Sequence, residues 1–263
     1  MTTPMPEHRK DRRRRRFRRG VFVLPSLLTT GTLFAGYYSI VATLQGEYRS
    51  AAIAIGAAFV IDGLDGRIAR LTNSQTDFGE AYDSLADVIA FGAAPAVLML
   101  SWGLWNLGRM GWLASFFYLA CVALRLGRFG VESDRSFFVG LPSPAAAGLV
   151  GAGAFYWPAR VESLLMVRVL LVCLLLVSLL MVSRLRYHSF KNFDLRRPQP
   201  HTVIVVLASV IVLIVFDPEN VLLLMAATYA LSGPVVRALS GVARRRVSRR
   251  QQRSASHSSE PGA

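Results

Sequence analysis

Eight apolar windows, each about 15 to 22 residues long and therefore able to cross a hydrocarbon core of about 30 Å, constrain this chain more than any other feature. They fall near residues 23–43, 50–71, 80–102, 111–130, 142–158, 163–183, 202–216 and 221–239, the seventh being the shortest. Lipid offers the backbone no hydrogen-bond partners, so only helices and closed barrels span it. The windows predict an all-α, polytopic membrane bundle of about eight transmembrane helices. Hydrophobic residues make up 53% of the chain and the mean hydropathy is +0.40, yet the formal net charge is +14. A soluble core does not explain that pairing, because the basic residues stand in blocks at the ends and between the apolar runs.

The blocks set an orientation. Arg9, Lys10, Arg12 to Arg16, Arg18 and Arg19 precede the first window. Arg184, Arg186, Lys191, Arg196 and Arg197 follow the sixth, and Arg244 to Arg246, Arg249 and Arg250 follow the eighth. The alternate connectors, 45–49, 102–112, 158–163 and the acidic Asp217-Pro218-Glu219-Asn220, are poor in positive charge. Positive residues remain on the cytoplasmic side, so both termini are expected there, in a bacterial inner membrane judged by the Ala- and Arg-rich usage. The first window is too long for a signal peptide and lacks a small-residue cleavage site. The expected organisation is a basic segment at 1–20, a membrane domain at 21–240 and a basic, disordered tail at 241–263. The Arg block reads as a topology anchor facing anionic lipid, not as a nucleic-acid site.

Against this background four carboxylates are conspicuous. Asp62-Gly63-Leu64-Asp65-Gly66-Arg67-Ile68-Ala69-Arg70 closes the second window, and Gly79, Asp83 and Asp87 open the third. Charge within a membrane span is costly unless it is paired, metal-bound or turned toward a water-filled cavity. At 3.6 residues per turn, positions 62, 65, 66 and 69 share one face of a helix, and 83 and 87 stack on another. Antiparallel helices joined by the short polar stretch 72–77 can bring the two faces together. Oxygen ligands without His or Cys suit a hard cation, Mg²⁺ or Mn²⁺, and two ions would offset four negative charges. Such ions complete their shells with phosphate oxygens, so a phosphate-bearing substrate is expected. Arg67 and Arg70 alone cannot neutralise four carboxylates, which argues against a purely structural ion-pair network.

The pattern Asp62-x-x-Asp65-Gly66-x-x-Ala69-Arg70, eight residues, Gly79-x-x-x-Asp83-x-x-x-Asp87 resembles the signature of the CDP-alcohol phosphatidyltransferase family, with every fixed position filled. That resemblance implies an integral membrane homodimer that moves a phosphatidyl group from CDP-diacylglycerol to an alcohol and releases CMP. It implies that Asp62, Asp65 and Asp83 hold metal and the cytidine diphosphate, and that Asp87 ligates metal and acts as base. Gly66, Ala69 and Gly79 would flank the nucleotide, with Arg70 on a phosphate. Leu24 to Gly36 and Phe138 to Ala147 are similar to stretches of the phosphatidylserine synthase branch of the family. That likeness makes L-serine the expected acceptor, with glycerol 3-phosphate or an inositol-type alcohol as the alternative.

Arg125 and Arg128 stand at i and i+3 near the end of the fourth window, and Arg135 follows in the connector. Guanidinium groups suit carboxylate or phosphate, so these three are candidates for the acceptor's carboxylate, or equally for lipid head groups and topology. Glu132 and Asp134 could meet the acceptor's ammonium, but are expected to balance the arginines. His188 and His201 have no ligand-spaced partner and read as surface residues. Cys121 and Cys173 read as packing residues, and Trp102, Trp105 and Trp112 as an interfacial belt. A divalent-cation or solute transporter would also carry intramembrane carboxylates, but near the midplane. A membrane scaffold would not need them.

Overall fold

The computed structural model describes residues 8–72, 76–131, 140–183 and 200–235, together with 237. Every element among them is helical. In chain order these are α1 (His8–Leu44), α2 (Tyr48–Leu71), α3 (Asp77–Asp87), a π-helical turn (Val88–Ala93) and α4 (Ala94–Trp102). A short 3₁₀ turn (Leu104–Leu107) leads to α5 (Arg109–Val131), α6 (Ser143–Tyr156), α7 (Leu164–Val182) and α8 (Pro200–Phe216). A last helix, α9, covers 218–235. Each α-helix falls on one of the eight apolar windows, α3 and α4 sharing the third. The first helix runs back through the Arg block to His8 instead of starting at the apolar residues. Arg135, Glu132, Asp134, His188 and the tail lie outside the described residues.

Among the described residues, four helical stretches are long and apolar enough to cross a membrane: Pro25–Leu44, Asp77–Trp102, Arg109–Arg128 and Leu164–Val182. The expectation of eight is met in part. α6 has 14 residues and α8 has 17, lengths of about 21 and 25 Å at the helical rise. α2 has the length, at 24 residues, but ends in the charged run from Asp62 to Arg70.

Small residues set the packing. α1 lies along α2, α2 against α6, and α5 against α7. Ala51, Ala54, Ala58 and Ala147 are buried at these contacts. A Cβ on Gly151 would be 3.6 Å from the Ala52 carbonyl oxygen, the close backbone approach that drives helix association in lipid. The approach is tighter at Gly36, where a Cβ would be 2.6 Å from Cα of Ala90. Only glycine fits there, and the contact presses α1 onto the π turn that follows Asp87.

The connectors sort to two ends. At one end Tyr48 Oη donates to the Ser101 carbonyl at 3.1 Å, and Trp102 Nε1 donates to the carbonyls of Trp157 and Ala159 at 3.0 and 2.9 Å. Arg49 pairs with Glu219 at 2.9 Å and stacks over the Phe155 ring at the same end. The four connectors poor in positive charge therefore share an end. At the other, Gly140 takes φ +90, Leu141 N donates to the Leu180 carbonyl at 3.1 Å, and a Cβ on Gly140 would lie 2.2 Å from the Met181 oxygen. One aromatic expectation is corrected: Trp102 is buried, 4% exposed, and bonded to the α6–α7 connector, while Trp105 and Trp112 are exposed. An apolar indole with a polar tip serves a buried connector as well as an interface. Of the cysteines, both free, Cys121 is buried and Cys173 exposed, so only the first is a core packing residue.

Candidate metal and nucleotide site

Local sequence fixes the frame of the site. α2 ends at Leu71, with the Thr72 hydroxyl donating to the Ile68 carbonyl at 2.7 Å. α3 starts behind Thr76, whose hydroxyl accepts from Gly79 N at 3.0 Å, with Asp77 and Glu80 in the first turn where the helix dipole favours anions. The carboxylates lie at this end of the bundle, beside the end of α2 and the start of α3.

Asp62, Asp83 and Asp87 each present one carboxylate oxygen, and these three oxygens lie within 4.8 Å of one another. Of the four expected carboxylates, the faces of α2 and α3 thus bring these three together. Asp65, 5% exposed, stands beside this trio and close enough to act electrostatically on all three. It is held from α1: the Thr29 hydroxyl donates to Asp65 Oδ2. Asp65 Oδ1 and Asp87 Oδ1 are buried and have no hydrogen-bond partner among the described residues.

Buried carboxylate oxygens without donors are costly, and four neighbouring anions repel one another. A hard divalent cation relieves both, and the donor set is all oxygen. The residues present fit such an ion.

The remaining predicted residues divide. Ala69 is half-buried, while Gly66 and Arg70 are exposed. Arg70 Nε donates to the Gly66 carbonyl at 2.6 Å, so the guanidinium folds back along its own helix. Gly79 serves the α3 cap, and a Cβ there would be 3.0 Å from the Thr76 hydroxyl. Arg125 is buried, donates from Nη1 to Ser143 Oγ at 2.8 Å, and interacts electrostatically with Asp87 and Tyr229. Arg128 is exposed on the same helix. The structure thus brings one of the acceptor candidates to the site.

Sequence reasoning missed Thr29, Thr30, Ser143 and Tyr118. Thr30 shares a 3.0 Å hydrogen bond with Tyr82 Oη on α3, so adjacent threonines on α1 hold α2 and α3. Two hydroxyls in an apolar span, one turn past Pro25, were the available signal. Tyr118 is fully buried and donates to the Phe91 carbonyl at 3.0 Å. That carbonyl would ordinarily accept from residue 95, which is proline and has no N–H.

A helical membrane protein with a carboxylate cluster shared by two helices at one end of the bundle is the class these observations define. The CDP-alcohol phosphatidyltransferase family model matches residues 22–181. The chain belongs to that family. It is 41% identical over 133 residues to the CDP-diacylglycerol–serine O-phosphatidyltransferase of Helicobacter pylori (strain ATCC 700392 / 26695), covering 49% of this chain and 56% of the relative. It is 42% identical over 133 residues to the protein of that name from Mycobacterium leprae (strain TN), covering 48% and 44%. With the one from Bacillus subtilis (strain 168) it shares 35% identity over 124 residues, covering 47% and 70%. The chain spans about half the length of the first two relatives.

Proposed function

We propose that the protein transfers the phosphatidyl group of CDP-diacylglycerol to the hydroxyl of L-serine, forming phosphatidylserine and CMP. The observation that carries this reading is the convergence of Asp62, Asp83 and Asp87 within 4.8 Å. The acceptor is inferred from the relatives, which are named for serine.

Asp62, Asp65, Asp83 and Asp87 would hold the divalent ions, Mg²⁺ or Mn²⁺. When bound, the ions supply polarisation of the diphosphate and stabilise charge on the departing CMP. Gly66, Ala69 and Gly79 flank the nucleotide in this reading, and Arg70 swings from the Gly66 carbonyl to a phosphate. The serine hydroxyl oxygen forms a bond to the phosphorus that carries diacylglycerol. The bond from that phosphorus to the bridging oxygen breaks, and CMP leaves with the electron pair. Asp87 takes the hydroxyl proton, late in the step, since a carboxylate is a weak base toward an alcohol. Arg125, buried beside Asp87, is the acceptor-side candidate for the serine carboxylate; Arg128 and Arg135 are assigned to lipid head groups. In this reading the site and both termini face the cytoplasm from a bacterial inner membrane, with eight crossings and a homodimeric assembly; the basic blocks at 9–19, 184–197 and 244–250 support that orientation.

The test is turnover in detergent with CDP-diacylglycerol, Mg²⁺ or Mn²⁺ and labelled serine. CMP and phosphatidylserine should appear together, and Asp87→Asn should lower the rate by about 10²-fold or more. Turnover that ignores serine and responds to glycerol 3-phosphate or an inositol phosphate overturns the acceptor. Asp87→Asn at the wild-type rate removes the base.

A further inference from the structure

We infer that Thr29 determines which divalent ion the site accepts, by leaving Asp65 one stronger donor oxygen. The inference rests on the metal site of the proposed function and adds a residue outside the aspartate pattern. Asp65 is 5% exposed and Thr29 3%, so neither group exchanges partners with solvent. The Thr29 hydroxyl donates to Asp65 Oδ2, while Oδ1 is buried and has no hydrogen-bond partner among the described residues. Thr29 is itself fixed: its hydroxyl also lies 3.1 Å from the Pro25 carbonyl, one turn back on α1. Oδ2 is thereby turned toward α1 with one lone pair taken by the hydroxyl, which leaves Oδ1 as the stronger ligand oxygen and sets the carboxylate plane from a different helix.

Denticity is what separates the hard cations. Mg²⁺ requires near-octahedral geometry and takes carboxylates through single oxygens, whereas Ca²⁺ tolerates six to eight ligands and bidentate carboxylates. A carboxylate with Oδ2 held by a hydroxyl favours the smaller ion. Freed from the hydroxyl, Asp65 can offer both oxygens alike, which favours the larger ion. Partners that orient a ligand typically contribute 10- to 100-fold in metal affinity.

The test is calorimetric titration of the purified full-length protein with MgCl₂ and with CaCl₂, in parallel with CMP release. Thr29→Val should weaken Mg²⁺ binding by about 10-fold or more and raise the Ca²⁺-to-Mg²⁺ affinity ratio. Thr29→Ser, which keeps the hydroxyl, should retain the wild-type ratio and also serves if the valine variant does not fold. Equal weakening of both ions, no change in Thr29→Val, or a shifted ratio in Thr29→Ser overturns the inference. If wild-type protein binds both ions and turns over no lipid, the proposed function falls while the ion ratios still decide the role of Thr29. If it binds neither ion, both fall.

Discussion

Tyr118 donates its hydroxyl to the Phe91 carbonyl, four residues after Asp87 and four before Pro95, which has no N–H to offer it. Tyr118→Phe removes that donor from a buried acceptor, a loss of about 1–3 kcal/mol, seen as a lower thermal midpoint in detergent. Arg125 poses a sharper case. Its guanidinium is buried between Ser143 and Asp87, and removing one member of a buried charged set leaves the other uncompensated. Arg125→Ala should both destabilise the protein, by about 3–5 kcal/mol, and raise the serine KM. A normal serine KM would remove Arg125 from the acceptor. The aspartates were legible as a site because their spacing repeats within single helices. Thr29 and Arg125 were less so, because their partners are 36 and 18 residues away and spacing along one helix says nothing about which helix faces it.

The third rod, Asp77–Trp102, is two α-helical segments joined by a π turn at Val88–Ala93. Asp87 is the last residue before the turn, so the widened backbone determines where α4 points relative to the carboxylates. Gly36 of α1 seats against that turn. Gly36→Ala would place a Cβ within van der Waals overlap of Ala90 backbone, and overpacking of this kind amounts to about 1–3 kcal/mol. The expected result is a lower melting temperature with reduced CMP release, because the strain falls next to Asp87. Full turnover at unchanged stability would show that α1 yields without moving the turn. Periodicity indicated the rod but not its break, which lies just before Pro95 and takes a hydrogen bond from Tyr118 of α5.

Across the whole molecule, the two ends of the bundle differ in chemistry. One carries Arg49, Glu219, Trp105 and the α6–α7 connector, and the other the carboxylates and Gly140. The Arg49–Glu219 pair is half-exposed, 50% and 37%, and such pairs contribute about 0–1 kcal/mol. Its value is topological. In a background with Cys121 and Cys173 replaced by serine, Asn220→Cys should react with an impermeant maleimide from one side of sealed vesicles and Thr72→Cys from the other. Labelling of both from one side would overturn the paired ends.

Composition and hydropathy alone determined that this chain is helical and membrane-embedded, because lipid leaves the backbone few alternatives. The same reasoning extended to the two faces of aspartates, since a helix converts spacing directly into proximity. The burial of Trp102, the burial of Arg125 beside Asp87 where Arg128 is exposed, and the hydroxyl on Asp65 were decided only by tertiary packing. Each depends on which neighbouring helix lies close enough to supply a partner.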